Sequence, residues 1–244
     1  MSVDDTSRPN AATTIRRVGL RDLPAPDRLE VLWDEGAVCV IKTDGGSLAA
    51  SLARALTDEG WRVVILDSAI PVPSENGAGP HLERVRPTGW DDAFPEIAGR
   101  IACFIEINAN SDLDEAGLLS NGIEASQLKA SFFTAKKLQP ILTAPGAFPA
   151  WFIAITTIDG RLGLGAAEKE RGVVGAGIYG LVKTLRHEWP RVFCRAIDLH
   201  PALDSDTAAS LVVGEMFDAD LTLGEVGIGP EWRCTIAAGE RLHA

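Results

Sequence analysis

Three observations predict an α/β fold with a doubly wound, mainly parallel sheet and helices on both faces. Short runs rich in valine and isoleucine recur along the chain, as at residues 37–41, 61–67 and 101–107. Continuous apolar runs of that length suit strands covered on both faces. Between the first two lies a stretch with helical spacing at Leu48, Leu52, Ala55 and Leu56, which stops at Gly60. Together they make a strand–glycine turn–helix–strand unit, whose crossover sets the two strands parallel.

The elements follow in order. Residues 1–14, rich in Ser, Asp, Thr and Asn, are expected to be a disordered leader, and residues 15–244 a single domain. Residues 14–20 and 28–33 are short enough for peripheral strands. The Pro- and Gly-rich stretch 68–89 predicts a long loop with a short strand near 82–85. A helix is expected over 90–98, and a longer one over 124–142 with Leu128, Phe132, Ala135 and Leu138 along one face, broken near its end by Pro140. Residues 151–157 read as a strand, and the helix holding Tyr179 runs to about Trp189, ahead of Pro190. The pattern closes with strands at 192–199, 225–228 and 232–236 and a helix at 207–217. This order describes a Rossmann-like sheet, which carries ligands at the carboxyl ends of its strands. Thr43, Asp67, Asn108, Thr157 and the Tyr179 helix are expected to gather there.

Composition narrows the function classes. A formal charge of -11 argues against nucleic-acid and anionic-membrane binding, because phosphate contacts need concentrated Lys and Arg. No signal core or membrane-length apolar stretch is present, so a cytoplasmic location is expected. Cys39, Cys103, Cys194 and Cys234 are widely spaced within apolar runs, which predicts buried free thiols and no metal site. His81, His200 and His243 have no metal-binding companions, and His187 suits a charge at a helix C-terminus. Nothing in the chain fixes an oligomeric state.

The chemistry-bearing stretch is 175–185, where the chain's one tyrosine, Tyr179, precedes Lys183 by four residues. On a helix that spacing sets both side chains on one face. A phenol beside an ammonium can hand a proton to a carbonyl oxygen, since the positive charge favours the phenolate. The bland alternative is a packed tyrosine and a solvated lysine.

With this helix following a strand that ends in Thr156-Thr157, residues 37–201 resemble the short-chain dehydrogenase/reductase superfamily. The resemblance implies Tyr179 as proton donor, Lys183 as its partner, and Thr157 at the position of the substrate-binding serine. It implies NAD or NADP bound through Thr43, Gly45, Gly46, Asp67 and Asn108, the acid Asp67 favouring NAD. The cofactor turn departs from the family's, however. The three signature glycine positions are Thr43, Ser47 and Ala49, with Gly45 and Gly46 between them, and Asp44 adds an anion where phosphate would sit. Asp44 and Ser47 instead suit helix capping. Residues 107–110 keep the asparagine of the family's next motif but lose its glycine, and Gln127 stands where a helix asparagine is expected.

A narrower resemblance fits these losses. Residues 43–46, 151–160, 180–190, 192–199 and 225–227 are similar to the N-terminal, structural half of the ketoreductase region in polyunsaturated-fatty-acid and polyketide synthases. That similarity implies no bound cofactor, and a catalytic ketoreductase half or other synthase domains as partners. Trp33, Trp90 and Trp232 lie in weaker segments, where they suit such a contact or ordinary packing. Three functions are therefore expected in order: a non-catalytic scaffold half, an active NAD(P)-dependent reductase of 3-ketoacyl carbonyls, and a degenerate module used for protein binding.

Overall fold

A computed structural model describes residues 16–30, 36–43, 46–67, 82–85, 100–108, 121–144, 149–165 and 176–241. The strands are β1 (Arg16–Asp22), β2 (Val38–Thr43), β3 (Arg62–Asp67), β4 (Leu82–Val85), β5 (Ile101–Asn108), β6 (Ala150–Thr156), β7 (Val192–Leu199), β8 (Glu225–Ile228) and β9 (Arg233–Arg241). The helices are α1 (Ser47–Asp58), α2 (Asn121–Leu142), α3 (Gly177–Glu188) and α4 (Ser205–Met216). All strands join one sheet in the order β1-β9-β8-β7-β6-β5-β2-β3-β4. Strands β2 to β8 run parallel, and β9 and β1 add an antiparallel edge.

Alternation along the strands divides the core between the two faces. Cys39, Ile41, Ile105 and Ile153 pack with Leu52 and Leu56 of α1 and Val212 of α4. Val38, Val40, Phe104 and Phe152 pack with Leu138 of α2 and Tyr179, Val182 and Leu185 of α3. Both faces are therefore covered, and strands such as β6 are buried along their whole length, as their unbroken apolar runs require. The four cysteines are buried and unpaired.

Several expectations need correction. Pro140 does not break α2, which continues to Leu142. In the last turn a proline removes only one intrahelical bond, so two further residues remain helical. The N-cap of α1 is Gly46 without a side-chain cap bond, and Ser47 is the first helical residue. Its hydroxyl lies 2.7 Å from that of Ser205. Asp44, the helix expected over 90–98 and the segment 166–172 lie outside the described residues, as do Trp33 and Trp90. In the stretch 28–33, Arg28 makes an isolated bridge to Asp218 rather than opening a strand, and the rest beyond Glu30 is not described. Trp232, half-buried, donates its indole N–H to the Gly160 carbonyl at 2.9 Å and lies under the guanidinium of Arg161.

One buried ion network fastens the antiparallel edge to the parallel core. Arg195 of β7 is fully buried. It donates to the Glu215 carboxylate (2.9 Å) and to the carbonyls of Glu215, Leu223 and Asp220. Arg233 of β9 pairs with the same Glu215 and with Asp218, and donates to the Pro24 carbonyl at 2.7 Å. Each charge in this cluster is thus neutralised and hydrogen-bonded, which is the condition for burying it.

Candidate functional site

Strand register sets a polar row across the carboxyl edge. Asn108 lies opposite Thr156, and Thr156 opposite Asp198, on three neighbouring strands. Helix α3 covers this row and delivers Tyr179, which is 5% exposed. The phenol oxygen lies 2.7 Å from the hydroxyl of Thr156. Thr156 in turn donates to the Asp198 carboxylate at 2.9 Å, so it accepts from Tyr179. The resulting chain, Tyr179 to Thr156 to Asp198, is closed to solvent.

Asp198 is held by the loop after β6. Its carboxylate accepts from the backbone N–H groups of Ile158 (2.8 Å) and Leu162 (2.9 Å), and from Asp159 at 3.3 Å. Asp159 accepts from the N–H groups of Arg161, Gly163 and Gly165. Gly160 makes this loop possible, with φ +66 and no room for a side chain between Ile228 and His200.

The two acids are pushed in opposite directions. Burial raises the Asp198 carboxyl to about 6, against the pull of the Ile158 N–H and with help from neighbouring Asp159. Burial also pushes Asp159 up, but the N–H groups of Gly163, Arg161 and Gly165 outweigh it and hold the acid below the usual carboxylate range. Folded Asp198 therefore binds its proton more tightly than unfolded Asp198. Stability from this group is fully present below the ordinary carboxylate pKa and is lost as pH rises from there through about 6. Denaturant unfolding is expected to show about 1 kcal/mol more stability at pH 5.5 than at pH 7.5 from Asp198 alone. Asp198→Asn should lose that increment and be less stable at pH 7.5, where its amide puts a donor against N–H groups that the ionised carboxylate accepts from. An unchanged pH dependence in D198N would contradict this assignment.

Tyr179 is also pushed up, first by burial and then by the Asp198 carboxylate, with the Thr156 hydrogen bond opposing them. Lys183, one turn along α3, is half-exposed, and its ammonium pairs with Glu225 Oε1 at 2.8 Å. The hydroxyl beside Tyr179 belongs to Thr156, while Thr157 is half-buried one residue beyond β6.

The predicted cofactor residues that the structure describes line the same edge, at the ends of the adjacent strands β5, β2 and β3 and the start of α1. Thr43 ends β2, is buried, and pairs in register with Asp67 at the end of β3. Gly46 caps α1, and Gly45 lies outside the described residues. Asn108 ends β5, and its side-chain Nδ2 is buried with no hydrogen-bond partner among the described residues. Gln127 lies within α2.

Sequence reasoning missed Thr156, Asp198, Glu225 and the buried Lys42–Glu106 pair, whose Glu106 Oε1 also accepts from Ser131 at 2.7 Å. The available signal was a polar residue interrupting an apolar strand, as at Asp198 within 192–199 and Glu106 within 101–107. Among the described residues no group of acids, histidines and cysteines could hold a metal ion, and no helix is long and apolar enough to cross a membrane.

Comparison with known proteins places this geometry. No family model matches the chain. It is 32% identical over 230 residues to a polyunsaturated fatty acid synthase polypeptide of Thraustochytrium sp. (strain ATCC 26185 / S-3), covering 89% of this chain but only 8% of that polypeptide. The fold matches a keto acid-selecting NRPS module containing adenylation, ketoreductase and pseudo-Asub domains, with TM-score 0.61 and 15% identity over 93% of this chain and 18% of that one. It also matches a short chain dehydrogenase of Leptospira borgpetersenii with bound NAD+, with TM-score 0.59 and 14% identity over 82% of this chain and 95% of that one. The chain has a ketoreductase-like short-chain dehydrogenase/reductase fold and is a homologue of one segment of a polyunsaturated fatty acid synthase.

Proposed function

We propose that this chain is a non-catalytic, structural ketoreductase-like domain that supports a catalytic reductase half in a fatty-acid or polyketide synthase. The observation that carries the reading is the use of Tyr179. A tyrosine that protonates a substrate must be reachable and made more acidic by its lysine. Tyr179 is buried, bonded to Thr156 and pushed the other way, while Lys183 is engaged by Glu225. These contacts make Tyr179 a fastener between α3 and the sheet.

The start of α1 supports the same reading, because its residues fit a dinucleotide poorly. A diphosphate at a helix N-terminus needs open N–H groups and close backbone approach. Here Ser47 is bonded to Ser205, and Ser51 donates to the Asp206 carboxylate at 2.6 Å. That sets the carboxylate of an Asp206–Arg54 ion pair one turn into the helix. Ala49, at the position of the signature's third glycine, is packed into the core beneath α1, where that glycine would allow closer helix–strand approach. On the outer side of α2, Phe132 and Phe133 are more than half exposed and offer a neighbouring domain an apolar face.

One observation favours a second reading, an active NAD(P)-dependent reductase of 3-ketoacyl carbonyls: Tyr179 and Lys183 are both retained on one helix. Turnover separates the two. With NADH or NADPH and a 3-ketoacyl thioester, the structural reading predicts no reduction above a protein-free control, and none that Tyr179→Phe removes. That variant should cost about 1 kcal/mol of stability, the usual worth of one hydrogen bond. Reduction abolished by Y179F would overturn the proposal.

A further inference from the structure

The amino edge of the sheet holds a groove unrelated to the Tyr179 edge. It lies at the start of β6 and β7, roughly 20 Å along the strands from Thr156 at about 3.3 Å per residue. Its volume is about 410 Å³, in the size range of ligand-binding clefts. Val192 and Met216 line its apolar interior, and Leu29 and Leu221, 40% and 56% exposed, stand at its margin.

Two guanidiniums line it as well. Arg186, in the last turn of α3, donates to the carbonyls of Cys194, Leu221 and Thr222. Arg191 donates to the Thr143 carbonyl at 2.7 Å. Neither has a carboxylate partner among the described residues. The one acid lining the groove, Asp218, is buried and taken up by Arg233. A guanidinium has five N–H donors, so Arg186 and Arg191 both retain unused ones. In a chain of formal charge -11, two arginines bound only to carbonyls give this groove a positive lining.

The geometry points to a docking groove for an extended peptide segment in which a carboxylate is flanked by large apolar side chains. The carboxylate meets Arg191 and Arg186 through charge-assisted bonds, which are stronger than neutral ones. Apolar side chains enter over Val192 and Met216, and the segment covers the margin leucines. A small amphipathic anion would satisfy the arginines but would leave Leu29 and Leu221 in water.

Panning a random decapeptide display library against the folded chain tests this, followed by anisotropy measurements on the most enriched peptide. The expected consensus has Asp or Glu within three residues of Leu, Phe or Met. Arg191→Gln should weaken binding about tenfold, the loss of a charge-assisted bond, and Leu221→Ser about fivefold. Both side chains are exposed, so melting temperatures should stay near wild type. Decanoate should not displace the peptide at sub-millimolar concentration. No enrichment, an enriched set lacking acids, equal binding by R191Q, or displacement by low decanoate would each overturn the proposal.

Discussion

Replacing Arg195 with alanine is expected to destabilise the fold by about 3–5 kcal/mol, enough to unfold many domains of this size. The side chain is fully buried and binds Glu215 together with three backbone carbonyls. Its removal leaves part of the Glu215 charge uncompensated and three acceptors short of a donor, of which the Glu215 and Leu223 carbonyls are buried. Arg195→Lys should recover little, because an ammonium cannot reproduce the planar fork that reaches Glu215, Leu223 and Asp220 at once. Arg195→Met with Glu215→Leu should be milder than R195A alone, since it removes both buried charges together. Urea unfolding followed by circular dichroism measures all three. An R195A midpoint matching wild type would show that the network is dispensable.

Gly160→Ala carries the second large effect. A Cβ there would lie 2.4 Å from the Ile228 carbonyl oxygen and 2.9 Å from the His200 nitrogen, both backbone atoms that cannot swing aside. Its φ of +66 is also disfavoured for alanine. Overpacking and backbone strain together should cost about 2–5 kcal/mol. Gly163 provides the control: its φ is +76, but nothing lies within 4 Å of a built Cβ. Gly163→Ala should therefore cost only about 1–2 kcal/mol, the conformational part alone. Equal losses in the two variants would mean that contact with β8 contributes nothing.

The sequence displays these parts of the molecule unevenly. The parallel strands were legible because burial on both faces favours long apolar runs, unbroken at 37–41 and 151–155 and interrupted only by single polar residues in 101–107 and 192–199. The pairing of Tyr179 with Lys183 was legible as spacing, since four residues on a helix fix the shared face. Their partners were not. Adjacent threonines at 156 and 157 look interchangeable in a chain of letters, yet strand alternation turns Thr156 toward α3. Glu225 reaches Lys183 only after β8 pairs with β7, a contact between residues 42 positions apart in sequence. Arg195 could be read as a charge within an apolar run, but its compensation by Glu215 and Asp218, the two acids that also pair with Arg233, exists only in three dimensions.

At the Tyr179 edge the side chains of Tyr179, Thr156 and Asp198 are thus committed to one another. The fold relatives include a dehydrogenase with NAD+ bound, so nucleotide binding is the property that most directly separates scaffold from enzyme. The decisive measurement is titration of NADH and NADPH into the folded chain, followed by nicotinamide fluorescence and by calorimetry. A scaffold domain should show no saturable binding of either nucleotide up to millimolar concentration, and no change when Ser47→Gly and Ala49→Gly are tested singly. Saturable micromolar binding of NADH or NADPH by the wild-type chain would contradict the scaffold role.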